Sequence, residues 1–474
     1  MPWTIPLLTA ATVASSYGIA LRTVNGQRRP GEPPLITGAV PLLGTALSFG
    51  RDAPRFLSAC RDRHGDVFTL YLGGRRMTFV LDPLSIPAVL KEPRLSFGPV
   101  ENDALVDGFG FTAPRRAVDL SELAHYDRTY LKGAHLAPVT ARMEDRLGRE
   151  LRATLGDGAV EVELYGLLWG LIFRAGTDSL FGDGVQDAAL AEAFARFDAQ
   201  FPLLIAKLPR FLTAQGRAAL AELQAKLEGV GETGSTWMSK RAEHLDDIEA
   251  GVTGHLNSSL LWAATANTVP TAFWTLHYLL RDAEALAAVR AELEAVVGPP
   301  RAGELPALPA ARLDELRLLD SAVREALRLA TGTMTVREVV ESFTFEAPCG
   351  RWGLREGDRV CVFPYLLHRD PEIHPEPERY RVDRFYSEVG VKRFEKGGQR
   401  LAFALMPFGG GHSMCPGRYF AINEMKLVVA MLLHACVIEL VERGGEPGFD
   451  LSRSGLGIYP PLRDVPVRVR LAGG

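Results

Sequence analysis

Residues 408–417 read Phe-Gly-Gly-Gly-His-Ser-Met-Cys-Pro-Gly, and the chemistry of this chain concentrates there. Three consecutive glycines let the backbone come close to something flat. Cys415 follows them and stands just before a long apolar stretch, Tyr419 to Glu442, expected to be a helix. A cysteine at a helix start meets free N–H groups and the positive end of the helix dipole, so its sulfur can be held as thiolate. A thiolate pushes electron density onto a haem iron and favours O–O cleavage over oxygen storage. The pattern therefore predicts a haem-thiolate centre in which Cys415 is the iron ligand and Phe408 packs against its sulfur.

Two further groups carry polar chemistry. Glu325 and Arg328 are spaced i, i+3, so opposite charges meet on one helix face, and Arg384 follows in the run Val-Asp-Arg-Phe. The stretch Leu260 to Trp274 is an apolar helix interrupted by Asn267, Thr268 and Pro270. Proline removes a backbone donor and loosens the helix there, and a threonine hydroxyl at such a point can bond its own helix or face a ligand.

Together these residues resemble the cytochrome P-450 family, whose Phe-x-x-Gly-x-x-x-Cys-x-Gly motif is matched by Phe408, Gly411, Cys415 and Gly417. The resemblance implies haem b as cofactor, with Cys415 as metal ligand and Phe408, Gly411 and Arg337 binding the cofactor, Arg337 against a propionate. It implies a structural lock of Glu325, Arg328 and Arg384, although Val382 and Asp383 stand where the family often has Pro and Glu. Thr268 corresponds to the oxygen-side threonine that relays protons. Asn267 takes the place of the usual acid, so water and Thr268 must serve, with the two residues forming the catalytic pair. The implied fold is mainly α with small β-sheets.

The segments GEPPL, LLHRDPEIHPEP and LGIYPPLRDVPVRVR, and Ser413 two places before the cysteine, resemble the branch holding cholesterol 7α-hydroxylase, sterol 12α-hydroxylase and prostacyclin synthase. That branch implies a lipid substrate. The expected activity is a monooxygenase hydroxylating a sterol or oxysterol, a bile-acid precursor among them, with molecular oxygen and electrons from an NADPH-dependent reductase. Its rival is an isomerase that rearranges a prostaglandin endoperoxide without reductant, and Thr268 favours the hydroxylase because an isomerase needs no proton relay. A non-catalytic haem sensor or carrier would require loss of Thr268 or a blocked oxygen side.

The rest of the chain must position these groups. Its 474 residues are 47% hydrophobic and 23% charged, enough for a substantial core, and no repeat or composition break follows residue 40, so residues 41–474 read as one catalytic domain. A net charge of -4 and a pI near 6.2 argue against a nucleic-acid partner. Five scattered cysteines without CxxC pairing suggest a reducing compartment and, Cys415 aside, packing roles. Residues 1–27 carry an uncharged apolar stretch followed by Arg22, which predicts a membrane anchor with its basic side in the cytosol, as for an endoplasmic-reticulum enzyme. Pro30, Pro33 and Pro34 make residues 28–40 a stiff hinge that holds the anchor off the body. Val67 to Asp82 reads as a hairpin around Gly73 and Gly74, 188–230 and 282–297 as amphipathic helices, and the runs after Thr331 as strands, the last forming a small C-terminal sheet.

Overall fold

The Val67–Asp82 segment folds as expected: β1 (Val67–Leu72) and β2 (Arg75–Val80) pair antiparallel with Thr69 opposite Thr78, and Gly73 and Gly74 both take positive φ at the turn. The computed structural model describes residues 27–111, 120–155, 158–230, 236–245, 252–301, 305–389, 392–442 and 444–472. The hairpin belongs to a sheet that also holds Leu35–Ile36, Leu95–Ser96, β3 (Thr335–Val339) and β4 (Arg359–Val362). β2 runs parallel to β4, and β4 antiparallel to β3, so a strand from late in the chain is inserted beside the N-terminal hairpin.

Helices dominate the remainder. They include α1 (Leu164–Phe181), α2 (Ala188–Ile205), α3 (Val252–Thr265), α4 (Thr268–Arg281), α5 (Arg317–Ala330) and α6 (Arg418–Ala435). The Asp187 carboxylate caps α2 by accepting from the Leu190 N–H at 2.6 Å, and Asp282 caps the next helix, Ala283–Val297, in the same way at Ala285. α4, α5 and α6 bury Phe273, Trp274, Val323, Ala326, Leu427 and Val428 in one apolar core. Helix packing of this kind fixes the ends of α4 and α6 relative to each other, and those ends carry the polar residues singled out above.

Four readings of the chain need correction. The helix expected over Tyr419–Glu442 stops at Ala435, because Cys436 enters β5 (Cys436–Leu440), whose ladder to β6 (Pro466–Leu471) takes over the backbone bonds. The small C-terminal sheet gains a third strand, Val160–Glu163, three hundred residues away in sequence. The segment 188–230 is two helices, α2 and Ala214–Leu227, separated where Lys207 adopts φ +56°. Residues 28–40 contain no helix, but they do not stand off the body: Leu35 pairs with Thr69, and the buried Glu32 carboxylate is ion-paired with Arg76 and Arg355. Burying that carboxylate between two guanidinium groups docks the segment, since either partner left alone would be an uncompensated charge. The expected membrane anchor lies outside the described residues, apart from position 27. Among the described residues no helix is long and apolar enough to cross a membrane.

Candidate active site

The expected break in the Leu260–Trp274 helix falls between α3 and α4, at Ala266 and Asn267. Pro270 sits in the first turn of α4, where its missing N–H costs nothing within that helix but cannot continue the ladder of α3. The break is held from outside. Asn267 Oδ1 accepts the Ile458 N–H at 2.9 Å, and a Cβ at Gly457 would collide with the same amide oxygen. Asn267, expected to work beside Thr268 on protons, is thus committed through its oxygen to the C-terminal loop.

Thr268 is buried, and its hydroxyl donates to the Ala264 carbonyl at 2.8 Å, across the break. It also shares a hydrogen bond with Glu424, a residue of α6 that the sequence reading passed over. That bond favours the ionised carboxylate, but burial outweighs it: Glu424 is 3% exposed, its Oε2 has no partner among the described residues, and desolvation pushes its pKa up to about 8. The signal in the sequence was a lone acid inside an apolar helix.

Thr268 and Cys415 border the same cleft of about 350 Å³, together with Asn267, Phe408, Arg337 and Ala263. The glycine loop that carries the cysteine is tightly built. Gly409 and Gly411 take φ +70°, the Cys415 N–H donates to the Phe408 carbonyl at 3.0 Å, and a Cβ at Gly410 or Gly411 would press into Leu90. Cys415 lies just before Gly417, the residue that opens α6, and the backbone N–H groups of Gly417 and Arg418 point at its sulfur. Burial nevertheless outweighs them and pushes the thiol up. The loop therefore supplies the donors for a thiolate but leaves deprotonation to a coordinated metal, which removes a thiol proton outright. Burial also raises the other cysteines, Cys361 and Cys436 to about 12, and Cys60 and Cys349, and none of these four borders the cleft.

A haem fits these residues. Arg337 is 5% exposed, its guanidinium donates only to the carbonyls of Val336 and Gly410, and it has no ion-pair partner among the described residues. Burial alone lowers its pKa. A desolvated cation lining the cleft is what a propionate would satisfy, and Cys415, which lines the same cleft, is a soft donor for iron.

The remaining expected residues meet behind the cysteine loop. Arg328 grips Glu325 with two bonds, of 2.8 and 2.9 Å, and Arg384 reaches the same carboxylate at 2.8 Å. All three are buried, and their spare donors go to the carbonyls of His368, Pro375, Glu376, Pro377 and Arg379. His368, also missed in the sequence, links this network to the loop. Its carbonyl takes Arg328, and its Nε2 accepts the Met406 N–H at 2.9 Å, two residues before Phe408. Burial holds its pKa well below the ordinary histidine value, so the ring stays neutral and able to accept.

With this geometry in hand, the comparisons are direct. The family model for cytochrome P-450 matches residues 240–466. The 7-alpha-hydroxycholest-4-en-3-one 12-alpha-hydroxylase of Oryctolagus cuniculus is 36% identical, over 94% of this chain and 94% of its own length. Prostacyclin synthase of Bos taurus is 34% identical over 94% and 95%, and the 5-beta-cholestane-3-alpha,7-alpha-diol 12-alpha-hydroxylase of Sus scrofa 34% over 98% of each. The family match spans the cysteine loop, the Glu-Arg-Arg network and the broken helix, and with identity at this level over almost the whole of both chains the chain belongs to the cytochrome P-450 family of haem-iron enzymes.

Proposed function

We propose that this protein is a haem-thiolate monooxygenase that hydroxylates a sterol-class lipid, a bile-acid precursor or oxysterol, with haem b bound through Cys415. The observation that carries the reading is the single cleft bordered by Cys415, the unpaired Arg337 and the Thr268 hydroxyl. The bound haem supplies oxygen activation and C–H oxidation, chemistry that side chains alone lack. The chain's own part is to position and to protect. Cys415 donates the sulfur ligand, Arg337 offsets a propionate, Phe408 and Ala263 give the cleft apolar walls, and Thr268 passes a proton at its Oγ1. Electrons come from an NADPH-dependent reductase, and residues 1–27 hold the enzyme at the endoplasmic-reticulum membrane with the catalytic domain in the cytosol. The sterol hydroxylases among the relatives support the substrate class.

A second reading, rearrangement of a prostaglandin endoperoxide, is favoured by the similarity to prostacyclin synthase. One pair of assays separates the two. With NADPH, reductase and a 7α-hydroxylated sterol under labelled dioxygen, the hydroxylase incorporates label into the sterol. Thr268→Ala then uncouples it, consuming NADPH with roughly a hundred-fold or more less product, as expected when a proton donor is lost. Rapid turnover of an endoperoxide analogue without reductant, indifferent to Thr268→Ala and accompanied by no labelled sterol, would replace the first reading by the second.

A further inference from the structure

Three segments far apart in sequence meet beside residues that line the cleft, and one carboxylate ties them. Asp198 lies on α2, and its Oδ1 accepts the Trp262 indole N–H of α3 at 2.8 Å. The guanidinium of Arg453, in the short turn Leu451–Arg453, grips the same carboxylate with both nitrogens, at 2.6 and 2.8 Å. The pair is largely removed from water, the Asp198 and Arg453 side chains being 23% and 11% exposed. A bidentate charge-assisted contact in such surroundings is among the stronger polar ties available to a protein.

What it ties is a buried aromatic cluster next to the cleft lining. The Trp262 ring lies 4.1 Å from that of Phe201 between centroids and meets Phe109 edge-on at 6.0 Å, while Phe197 packs against both phenylalanines. Ala263, next to Trp262, lines the cleft, and so does Ile458, five residues after Arg453. Leu456, between them, packs against the aromatic cluster. The C-terminal loop is bound to Gly332 and Ala330 through the backbone of Gly455, Gly457 and Tyr459, and two side chains tie it to the helices, Asp198 through Arg453 and Asn267 through the Ile458 N–H. Asn267 fixes it beside Thr268, and Asp198 fixes its other end to the aromatic cluster.

We propose that Asp198 is the positioning residue of the substrate chamber: by orienting Trp262 and drawing the Arg453 loop onto α2, it sets how a flat lipid lies in the cleft and how readily the loop yields to admit it. The inference rests on reading the cleft as a lipid-oxidising site. An apolar lipid offers the pocket almost nothing directional, so the carbon presented to the reacting centre is fixed by the shape of the walls. The lining residues Ala263 and Ile458 take their place from the helix and the loop behind them, and Asp198 is the group that ties that helix, that loop and α2 together. Arg453 and Trp262 act through it, and neither alone joins all three segments.

The test uses full-length holoenzyme carrying Asp198→Ala, which removes both ties, and Asp198→Asn, which keeps an acceptor for Trp262 while losing the ion pair. Haem content and the carbon monoxide spectrum are measured first, to establish that the fold survives. Two readouts follow. The association rate of a bulky azole, followed by its Soret shift, needs no turnover and is expected to rise roughly ten-fold in Asp198→Ala, with a smaller rise in Asp198→Asn, as for loss of a buried charge pair. With a 7α-hydroxylated sterol, the product ratio is expected to spread from one dominant position to several, KM rising more than kcat falls. If the parent enzyme oxidises no sterol, the function proposed above fails while the azole rates still judge Asp198. An unchanged azole rate in folded Asp198→Ala, or an unchanged product ratio where the parent is active, would overturn the proposal. Should Asp198→Ala fail to take up haem, Asp198→Asn and Arg453→Gln carry the same comparison.

Discussion

Glu424→Gln is the most informative single substitution, because it removes a titrating proton without changing a shape. The Glu424 carboxyl is buried on α6, accepts nothing at Oε2, and has its pKa pushed by desolvation from 4.5 to about 8. In an unfolded chain it titrates near 4.5. Between those values the folded protein holds a proton that the unfolded chain has lost, so folding stability must fall as pH rises from 4.5 and level off above 8. The slope is roughly 1.4 kcal/mol per pH unit, which gives a penalty of about 3 kcal/mol at pH 7 and about 5 kcal/mol as the ceiling. Glutamine keeps the size but cannot ionise. The parent curve alone would mislead, because His374, whose pKa burial lowers to about 4, works in the opposite sense. It loses stability as pH falls from 6.5 toward 4. The difference between variant and parent cancels that contribution. Urea unfolding, followed by tryptophan fluorescence and the Soret band at half-unit steps from pH 5 to 8, should show Glu424→Gln gaining little at pH 5 and about 3 kcal/mol by pH 7. A protonated carboxylic acid band in the infrared spectrum at pH 7, absent in the variant, is the companion signal. A stability difference that stays flat from pH 5 to 8, or no such band, would refute the assignment of a neutral buried acid beside Thr268.

Three other outcomes follow from the same geometry. Cys415→Ala should abolish the long-wavelength Soret band of the reduced carbon monoxide complex, while Ala at Cys60, Cys349, Cys361 or Cys436 leaves it, and a surviving band in Cys415→Ala would remove the ligand assignment. Glu325→Ala strands two buried guanidinium groups, so it should cost about 3 to 5 kcal/mol and prevent haem incorporation, whereas normal haem content and melting would show the network to be dispensable. Deleting residues 1–27 should release the protein from membranes with an unchanged haem spectrum, and full-length protein that fractionates as soluble would remove the anchor.

The sequence by itself determined the elements whose physics is local. A hairpin at Gly73-Gly74 needs only two residues tolerant of positive φ between β-rich runs, and the glycines around Cys415 announce a backbone that must come close to a flat partner. The Glu325–Arg328 pair was visible because i, i+3 spacing places its members on one face, and the family motif carried Arg384 and Arg337 with it. The end of α6 was misjudged for the converse reason. Nothing near Ala435 breaks a helix, and the strand that follows exists only because β6 arrives to pair with it.

Tertiary structure decided the polar chemistry. Asn267 and Thr268 look like an equivalent pair in sequence, yet a loop from residues 457–458 captures the Asn267 oxygen, and α6 brings Glu424 to Thr268 instead. Asp198 and Arg453 are separated by more than half the chain, and the sequence marks neither. Hydrogen bonds and ion pairs act over about 3 Å, so which polar groups become partners depends on where packed helices place them rather than on their spacing along the chain.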